Sequence, residues 1–385
     1  MLPLQRDARN LSSSSPMVLV GPAFPWRGGI AQYTDQLYLH LREKYPVEVF
    51  TYSRLFPKPL FPGRTQLDTS KTAIEVPSRR TLDSIGPVSW WRTAAAIVRC
   101  QPRAVVVMHQ MPFFAPCLGT LLRLIRRQAS TTRQILLCHN LIPHEPHFFD
   151  APLTRYLLAM PDAFLVLSEA VEREVLRFRP DARLVRVPQP IYDFFPTAPS
   201  RQAARQRLSL PLEQPVVLFF GLVRAYKGLA ILLHAMTYLP HVHLLIAGEF
   251  YQSRHDYQRQ ISELDLKDRV YLEDRYIPNE EVPAYFAAAD VVVLPYLSAT
   301  QSGVSKLAYH FDKPVIVTNV GGLAEEVEAG RTGYVVPPGD PVALAEAIAK
   351  VLAENARDDF AVNIREYKKR YSWARVIEAI EKLAE

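Results

Sequence analysis

Short apolar strands that each run into a helix recur through most of the chain, and this alternation restricts the possible folds more than any other feature. In the first half, MVLVG, VEVFTY, AVVVMH and QILLCHN have strand patterns, and helical patterns lie between them. The second half repeats the order with VVLFFG, HLLIAG, RVYLED and VVVLPY. Because neighbouring parallel strands need a crossover connection, usually a helix, the order predicts α/β domains with doubly wound parallel sheets.

The chain is long enough for two domains, since 385 residues exceed the usual size of a single hydrophobic core. A proline-rich stretch at 188–202, PQPIYDFFPTAPSRQ, interrupts the alternation and indicates a linker. We predict a disordered leader at 1–16 and Rossmann-like domains at 17–195 and 196–366. The segment 367–385 has helical spacing and could cross back to the first domain.

Composition and charge favour a soluble cytoplasmic protein. No stretch has the pattern of a membrane-spanning helix, and the first residues lack the apolar core of a signal peptide. The three cysteines have no metal-ligand spacing, and buried free thiols suit a reducing compartment. Residues 1–195 carry 24 Lys and Arg against 15 Asp and Glu, a net charge of +9, whereas the remainder carries −3. The basic half either faces an anionic partner or is a solvated surface, and charge alone leaves both open.

Four motifs, taken in their order along the chain, resemble a known family. They are GPAFPWRGGIAQY, then HNLIPHE, then FFGLVRAYKG, and finally DVVVLPY with PVIVTNVGG and GYVVPPGD. This series is similar to family 4 of the retaining glycosyltransferases, which have the GT-B fold of two Rossmann-like domains facing across a cleft. The resemblance covers roughly 17–380. It implies metal-independent transfer of a sugar, of hexosyl type, from a nucleoside-diphosphate sugar to a hydroxyl acceptor in glycan, polysaccharide or glycolipid synthesis.

One departure from the family concerns the residues that contact the donor. The family's usual two glutamates, eight positions apart, would fall on Ala299 and Leu307, so both acids are absent. Neutral amide and hydroxyl groups can still bond sugar hydroxyls, and N–H groups at a helix start can bind phosphate. We therefore expect a divergent branch of the family with a variant donor site, while a non-catalytic nucleotide-sugar-binding paralogue stays an alternative. The expected donor-binding residues in this loop are Thr300, Gln301, Ser302, Gly303 and Val304.

A pair of basic residues follows the strand VVLFFG. Arg224 offers a planar fork and Lys227 a point charge, which together suit a diphosphate. The resemblance implies that this pair holds the donor diphosphate, although the family's arginine usually stands where this chain has Leu222. It also places His139, at the end of QILLCHN, beside the transferred sugar. We expect these three residues to be catalytic; no Asp-x-Asp pair accompanies them, so neither a metal ion nor a cofactor is expected.

The remaining candidates lie at other strand ends. Gly28 and Gly29 are expected to bring backbone close to the donor phosphate, with a plain tight turn as the alternative. Glu249 is a donor-side candidate for which helix capping is equally open. Glu325 is a further donor-side candidate, which could orient the preceding loop or cap a helix. Acceptor-side groups are expected at Asn140, His144 and Glu145.

Two other enzyme classes are less consistent with the sequence. A sugar-nucleotide epimerase of the same fold would need carboxylates in the cleft as acid and base. A dinucleotide dehydrogenase would need G-x-G-x-x-G, which GPAFPWRGG does not supply. No nucleic-acid partner is implied.

A contact with an anionic membrane is a further expectation, because family members often extend glycans on lipid carriers. The proline-rich region 55–90, predicted to be an irregular loop, contains LFPKPLFPGR, and basic helix ends accompany it. Packing of these aromatic residues in the core is the alternative. The helix-end residues are Trp90, Trp91, Arg92, Arg126 and Arg127.

Overall fold

The computed structural model describes residues 15–61, 63–142, 147–353 and 356–385, with the side chains of 356–358 left out. Two separate parallel sheets organise this part of the chain. Each sheet is covered on its faces by the helices that connect its strands.

The first domain is built on a seven-stranded parallel sheet. Its strand order is β3-β2-β1-β4-β5-β6-β7, and the central strand β1 pairs with β2 and β4. The strands β1 and β4 are buried along their whole length, as expected for strands covered on both faces. The strands are β1 (Met17–Val20), β2 (Val47–Arg54), β3 (Ser78–Asp83), β4 (Ala104–His109), β5 (Arg133–Cys138), β6 (Ala163–Val166) and β7 (Leu184–Arg186). Its helices are α1 (Gly29–Leu41), α2 (Pro87–Arg99), α3 (Ala115–Gln128), α4 (Asp150–Leu158) and α5 (Glu169–Phe178).

The second domain repeats the arrangement with six parallel strands in the order β10-β9-β8-β11-β12-β13. The strands are β8 (Val216–Phe220), β9 (His243–Ala247), β10 (Val270–Glu273), β11 (Val291–Leu294), β12 (Val315–Thr318) and β13 (Gly333–Val336). The helices are α6 (Arg201–Arg207), α7 (Leu229–Met236), α8 (Arg254–Glu263), α9 (Val282–Ala288), α10 (Gly303–His310), α11 (Pro341–Leu352) and α12 (Ala356–Tyr367).

The structure confirms the predicted fold class of two Rossmann-like, doubly wound domains. The prediction of an irregular loop over 55–90 is wrong in its second part, where β3 and the start of α2 lie. β3 has the sequence SRRTLD and is an edge strand whose side chains are mostly exposed. It therefore lacks the apolar run by which the central strands are recognised.

The chain crosses between the domains twice, and the two crossings are hydrogen-bonded to each other. The Ile191 N–H donates to the Tyr371 carbonyl oxygen at 3.1 Å. Beyond the second crossing, the helix α13 (Trp373–Ala384) packs against α1, β5, β6 and β7 of the first domain. Its buried face is apolar, so this helix forms part of the first domain's core.

Two of the three cysteine side chains, Cys117 and Cys138, are buried, and Cys100 is half-buried. Among the described residues, we find no helix with both the length and the apolar character needed to span a bilayer.

Candidate active site between the domains

The glycine loops that begin α1 and α10 lie on opposite sides of the cleft, with Tyr192 between them. The Tyr192 hydroxyl donates to the Gly29 carbonyl oxygen at 3.1 Å and accepts from the Gln189 amide at 2.9 Å. A Cβ added to Gly303 would lie 3.8 Å from the Tyr192 ring. Tyr192 and Gln189 belong to the predicted linker. Neither was predicted as a site residue, because that segment is recognised in the sequence only by its proline density.

The backbone conformation at position 28 requires a glycine. Its φ is +106°, a value that side chains other than glycine's rarely allow, and it directly precedes the first residue of α1. A Cβ there would meet no atom within 4 Å, so the space next to Gly28 is open. The turn exists, and the part of Gly28 and Gly29 in donor binding stays a prediction.

Arg224 and Lys227 lie close to each other in the cleft. Neither side chain forms an ion pair with a carboxylate in the described residues; Arg224 instead lies 5.1 Å from the centre of the Tyr251 ring. The Lys227 Nζ atom is 3.4 Å from the place of a Cβ on Gly221, beside Val304. Burial lowers the pKa of Lys227, and the charge of Arg224 lowers it further. Two uncompensated cations at strand ends favour the binding of an anion.

The loop at 299–303, which lacks the family's acids, supplies a capped helix start beside Lys227. The Ser302 hydroxyl accepts from the Val304 N–H at 3.2 Å and so caps α10. Ahead of it, the Thr300 hydroxyl donates to the Asn140 side-chain oxygen, and the Gln301 amide donates to the His139 carbonyl at 3.2 Å. The loop therefore joins the second domain to the end of β5 in the first.

His139 is buried at the end of β5 and is held in its neutral form. Burial, reinforced by the neighbouring His109, lowers the pKa of His139 to about 3. Its ring lies edge-on to Tyr33 at 4.7 Å, and its Nε2 atom has no hydrogen-bond partner among the described residues. A neutral imidazole of this kind can donate or accept one hydrogen bond without carrying charge. His109 is equally buried, with a pKa lowered by burial to about 4, and sequence reasoning missed it.

Glu249 is held by the first domain. Its carboxylate forms a buried ion pair with Arg27 and accepts the Arg64 N–H at 2.6 Å. The Arg27 guanidinium also lies 4.9 Å from the centre of the Tyr276 ring. Helix capping, one of the two expectations for Glu249, is not what these contacts show. Arg27 directly precedes Gly28 and Gly29, and that position was the available indication of its importance.

Glu325 caps a helix of the other domain. Its carboxylate accepts the N–H of Glu169, the first residue of α5, at 3.2 Å, and burial raises its pKa. The next residue, Glu326, forms a buried ion pair with Lys306 that sequence reasoning did not identify. The acceptor-side candidates His144 and Glu145 lie outside the described residues.

Two facing Rossmann-like domains, with a basic pair and two glycine loops where their strand ends meet, define the GT-B class. The comparisons with known proteins agree with this assignment. Residues 28–190 match the family described as "Glycosyl transferase 4-like domain", and residues 214–354 match "Glycosyl transferases group 1". The chain therefore belongs to the glycosyltransferases of the GT-B type.

The sequence identity between this chain and individual relatives is low. D-inositol 3-phosphate glycosyltransferase from Xylanimonas cellulosilytica is 29% identical over 231 residues, which are 56% of this chain and 55% of that protein. The chain thus spans about half the length of the curated relatives it matches. Sucrose-phosphate synthase from Thermosynechococcus elongatus has a TM-score of 0.74 at 22% identity over 96% of this chain and 98% of its own. HepE from Anabaena, solved with UDP-glucose, has a TM-score of 0.73 at 18% identity, over 95% of this chain and 98% of HepE. These structures support the fold.

Proposed function

We propose that the protein is a retaining glycosyltransferase of family 4 that moves a sugar from a nucleoside-diphosphate sugar to a hydroxyl acceptor. The observation that carries the proposal is the anion site: Arg224 and Lys227 have no acidic partners in the described chain, and Lys227 lies beside the capped start of α10. Such a site matches the charge and shape of a diphosphate.

In the proposed mechanism, the donor binds mainly to the second domain with its diphosphate on this anion site. As the bond from the sugar carbon to the phosphate oxygen breaks, Arg224, Lys227 and the N–H groups at the start of α10 stabilise the growing charge. The acceptor hydroxyl forms the new bond from the same face, and its proton passes to the leaving diphosphate. No protein base and no metal ion take part in this scheme.

The other residues bind and orient the substrates. Neutral His139 offers its unpaired ring nitrogen to a hydroxyl of the transferred sugar. Thr300 and Gln301 supply neutral groups where the family has acids, and Asn140, His144 and Glu145 are proposed as groups that bind the acceptor. Because HepE was solved with UDP-glucose, uridine diphosphate sugars are the first donors to examine.

A thermal-shift panel of UDP-, GDP- and ADP-sugars, followed by assays of donor hydrolysis, tests the proposal. A bound donor raises the melting temperature by mass action. We expect one nucleotide class to stabilise the protein and to be hydrolysed slowly, with and without EDTA. Stabilisation without any hydrolysis or transfer would indicate the non-catalytic paralogue, and conversion to a sugar epimer would indicate an epimerase. No stabilisation and no turnover with any donor would contradict the proposal.

We further propose that the first domain attaches peripherally to an anionic membrane, on its cytoplasmic side, and receives a lipid-linked acceptor there. At the start of α2, the side chains of Ile85, Val88 and Trp91 are 48%, 64% and 59% exposed, and Arg92 is exposed beside them. This end of α2 follows the carboxyl end of β3 and so lies on the cleft side of the sheet. Exposed apolar side chains next to a cation suit the interface of an anionic bilayer.

Other parts of the expected membrane surface are not available. Phe56 stacks on Phe113 at 5.6 Å, and Phe61 packs edge-on against Tyr251, so these aromatics of the proline-rich segment lie within the protein. Arg126 lies in the last turn of α3, near the amino ends of the strands and so away from the cleft, and it pairs with Asp162 at 2.6 Å. The proposed surface therefore rests on the start of α2 and not on these aromatic residues or on Arg126.

Vesicle co-sedimentation tests this attachment. Wild-type protein should bind vesicles containing phosphatidylserine at low salt, and binding should weaken with salt. The double variant Val88→Ser, Trp91→Ser should bind much less, while Val362→Ser, which alters an exposed valine of the second domain, should behave as wild type. Equal binding by the wild type and the double variant would exclude this surface.

A further inference from the structure

The start of α10 is connected to a buried ion pair behind it. Lys306, in the same helix, has a side chain that is 0% exposed, and its Nζ atom lies 3.0 Å from the Glu326 carboxylate. The Ser305 hydroxyl lies within hydrogen-bond distance of both that carboxylate and the Ser302 carbonyl, the latter at 2.6 Å. Ser302 is the residue that caps α10, so the ion pair bears directly on the helix start.

The same ion pair contacts the point where the chain crosses back to the first domain. The Lys306 Nζ atom lies 4.0 Å from the centre of the Tyr371 ring, a distance that permits a cation–π contact. The Tyr371 carbonyl accepts the Ile191 N–H from the first crossing. Tyr309, one turn after Lys306, donates to the Glu326 carbonyl at 2.7 Å. The helix is thus fixed both to the loop carrying Glu326 and to the interdomain crossing.

A contribution to stability does not by itself explain why Lys306 and Glu326 are charged residues. Replacing a buried ion pair with apolar residues of similar volume is often neutral or stabilising, because desolvation of the charges offsets their attraction. A buried pair does fix geometry, since each charge needs its partner at one position. On the other side of the helix start, the Tyr296 hydroxyl lies 3.4 Å from the Ser302 hydroxyl, and Lys227 lies 5.4 Å from the Tyr296 ring centre.

We propose that Lys306 and Glu326 are positioning residues for the donor site, holding the first turn of α10 where its N–H groups meet the donor diphosphate. The proposal rests on the proposed function for its ligand. Neither residue needs to touch the donor, because the effect passes through Ser305 to Ser302.

The decisive variant is the double replacement Lys306→Met, Glu326→Leu, which removes both charges and keeps the volume. Lys306→Met alone would leave Glu326 buried without its partner and could fail to fold, so it is not the test. We expect the double variant to melt at or above the wild-type temperature. Amide hydrogen exchange over 302–305 should nevertheless be faster by about tenfold or more, and the Kd for UDP should rise by about tenfold.

A matched control removes an ion pair at the other end of the same helix. Lys368 pairs with Asp312 at 2.7 Å just beyond the last residue of α10. The control Lys368→Met, Asp312→Asn should leave exchange over 302–305 and UDP affinity unchanged. Its failure to do so would show that any disturbance of α10 has the same effect and would overturn the specific assignment.

Two outcomes would overturn the proposal directly: wild-type exchange over 302–305 in the double variant, or faster exchange with wild-type UDP affinity. If wild-type protein binds none of UDP, GDP and ADP, the proposed function fails. The exchange measurement still decides, without any ligand, whether the ion pair positions the helix start.

Discussion

At the scale of single residues, Lys227 is the side chain on which the proposed chemistry most depends. It is a cation in the cleft whose pKa is lowered by burial, and no carboxylate of the described chain pairs with it. An anion bound beside it would favour the charged form and reverse that shift. Donor binding and the charge state of Lys227 are therefore coupled.

We expect Lys227→Met to lower kcat/KM for the donor about 30- to 1000-fold, because an electrostatic contact to the leaving group is lost. This factor corresponds to a loss of roughly 2–4 kcal/mol of transition-state stabilisation. Arg224→Ala should have a comparable effect. Lys350→Met, at an exposed position on α11, is the matched control. Wild-type turnover by Lys227→Met would contradict the site assignment. A silent Arg224→Ala would mean that its guanidinium does not reach the diphosphate.

The two buried histidines make stability depend on pH. The pKa values of His109 and His139 lie at about 4 and about 3 in the folded protein, below the ordinary value of an unfolded chain. The unfolded chain therefore binds protons that the folded one excludes, so stability is complete above about pH 6.5 and falls as pH decreases toward 4.

His109→Gln should remove part of this dependence. Between pH 7 and pH 5, the wild-type free energy of unfolding should fall by about 2 kcal/mol more than that of the variant, as measured by urea denaturation. The exposed His255→Gln should keep the wild-type dependence. Identical pH dependence in wild type and His109→Gln would show that His109 is not held neutral.

At the scale of secondary structure, the first turn of α10 decides how close a ligand can approach. A Cβ on Gly303 would meet the Gln189 amide at 3.6 Å and Tyr192 at 3.8 Å, which is ordinary contact. The fold therefore tolerates a side chain here, and the effect of a larger one falls on the cleft.

We expect Gly303→Val to fold normally and to raise the Kd for UDP by about tenfold or more, since its methyl groups occupy space that phosphate needs. Gly303→Ala should have a smaller effect. Leu307→Glu, which restores a family acid, should not increase turnover. A gain of activity in Leu307→Glu would mean that the chain is a decayed family member with no substitute for the acid. Calorimetry with UDP and donor-transfer assays measure these outcomes.

At the scale of the whole molecule, contacts between the domains hold the cleft closed along one side. The ion pair of Arg27 with Glu249 is central to them, with side chains only 6% and 3% exposed. Arg64 adds an ion pair to Asp274 at 3.2 Å, and the Gln32 amide donates to Asn279 at 2.8 Å. All of these contacts join residues more than 200 positions apart in the chain.

Arg27→Met should destabilise the protein by roughly 3–5 kcal/mol, because Glu249 would be left buried without its cation. The double variant Arg27→Met, Glu249→Leu should recover stability. It should still open the cleft, seen as a larger radius of gyration in small-angle X-ray scattering. Lys44→Met, which removes an exposed ion pair to Glu381 within the first domain's surface, should change neither property. Wild-type scattering from the double variant would show that this ion pair does not hold the domains together.

The sequence by itself determined the buried central strands, the helices that connect them and the class of the fold. These features follow from local patterns: an apolar run such as AVVVMH, with helical patterns on both sides of it in the chain, is typical of a parallel strand covered by helices on both faces. The positions of Arg224, Lys227 and Gly303 were also predictable, because the basic pair lies in the loop after β8 and Gly303 begins α10. Edge strands such as β3 could not be predicted in this way, because exposure on one side removes the apolar pattern.

Only the tertiary structure decided which polar groups are already engaged. Glu249 is held by Arg27, and Lys306 by Glu326; the first pair spans the two domains, and the second joins different elements of one domain. Neither pairing leaves a mark in local sequence spacing, because an ion pair depends on where two elements meet after packing. The same packing leaves Arg224 and Lys227 without acidic partners in the described chain, and that free charge comes from the assembled cleft, where the ends of strands and loops from both domains converge.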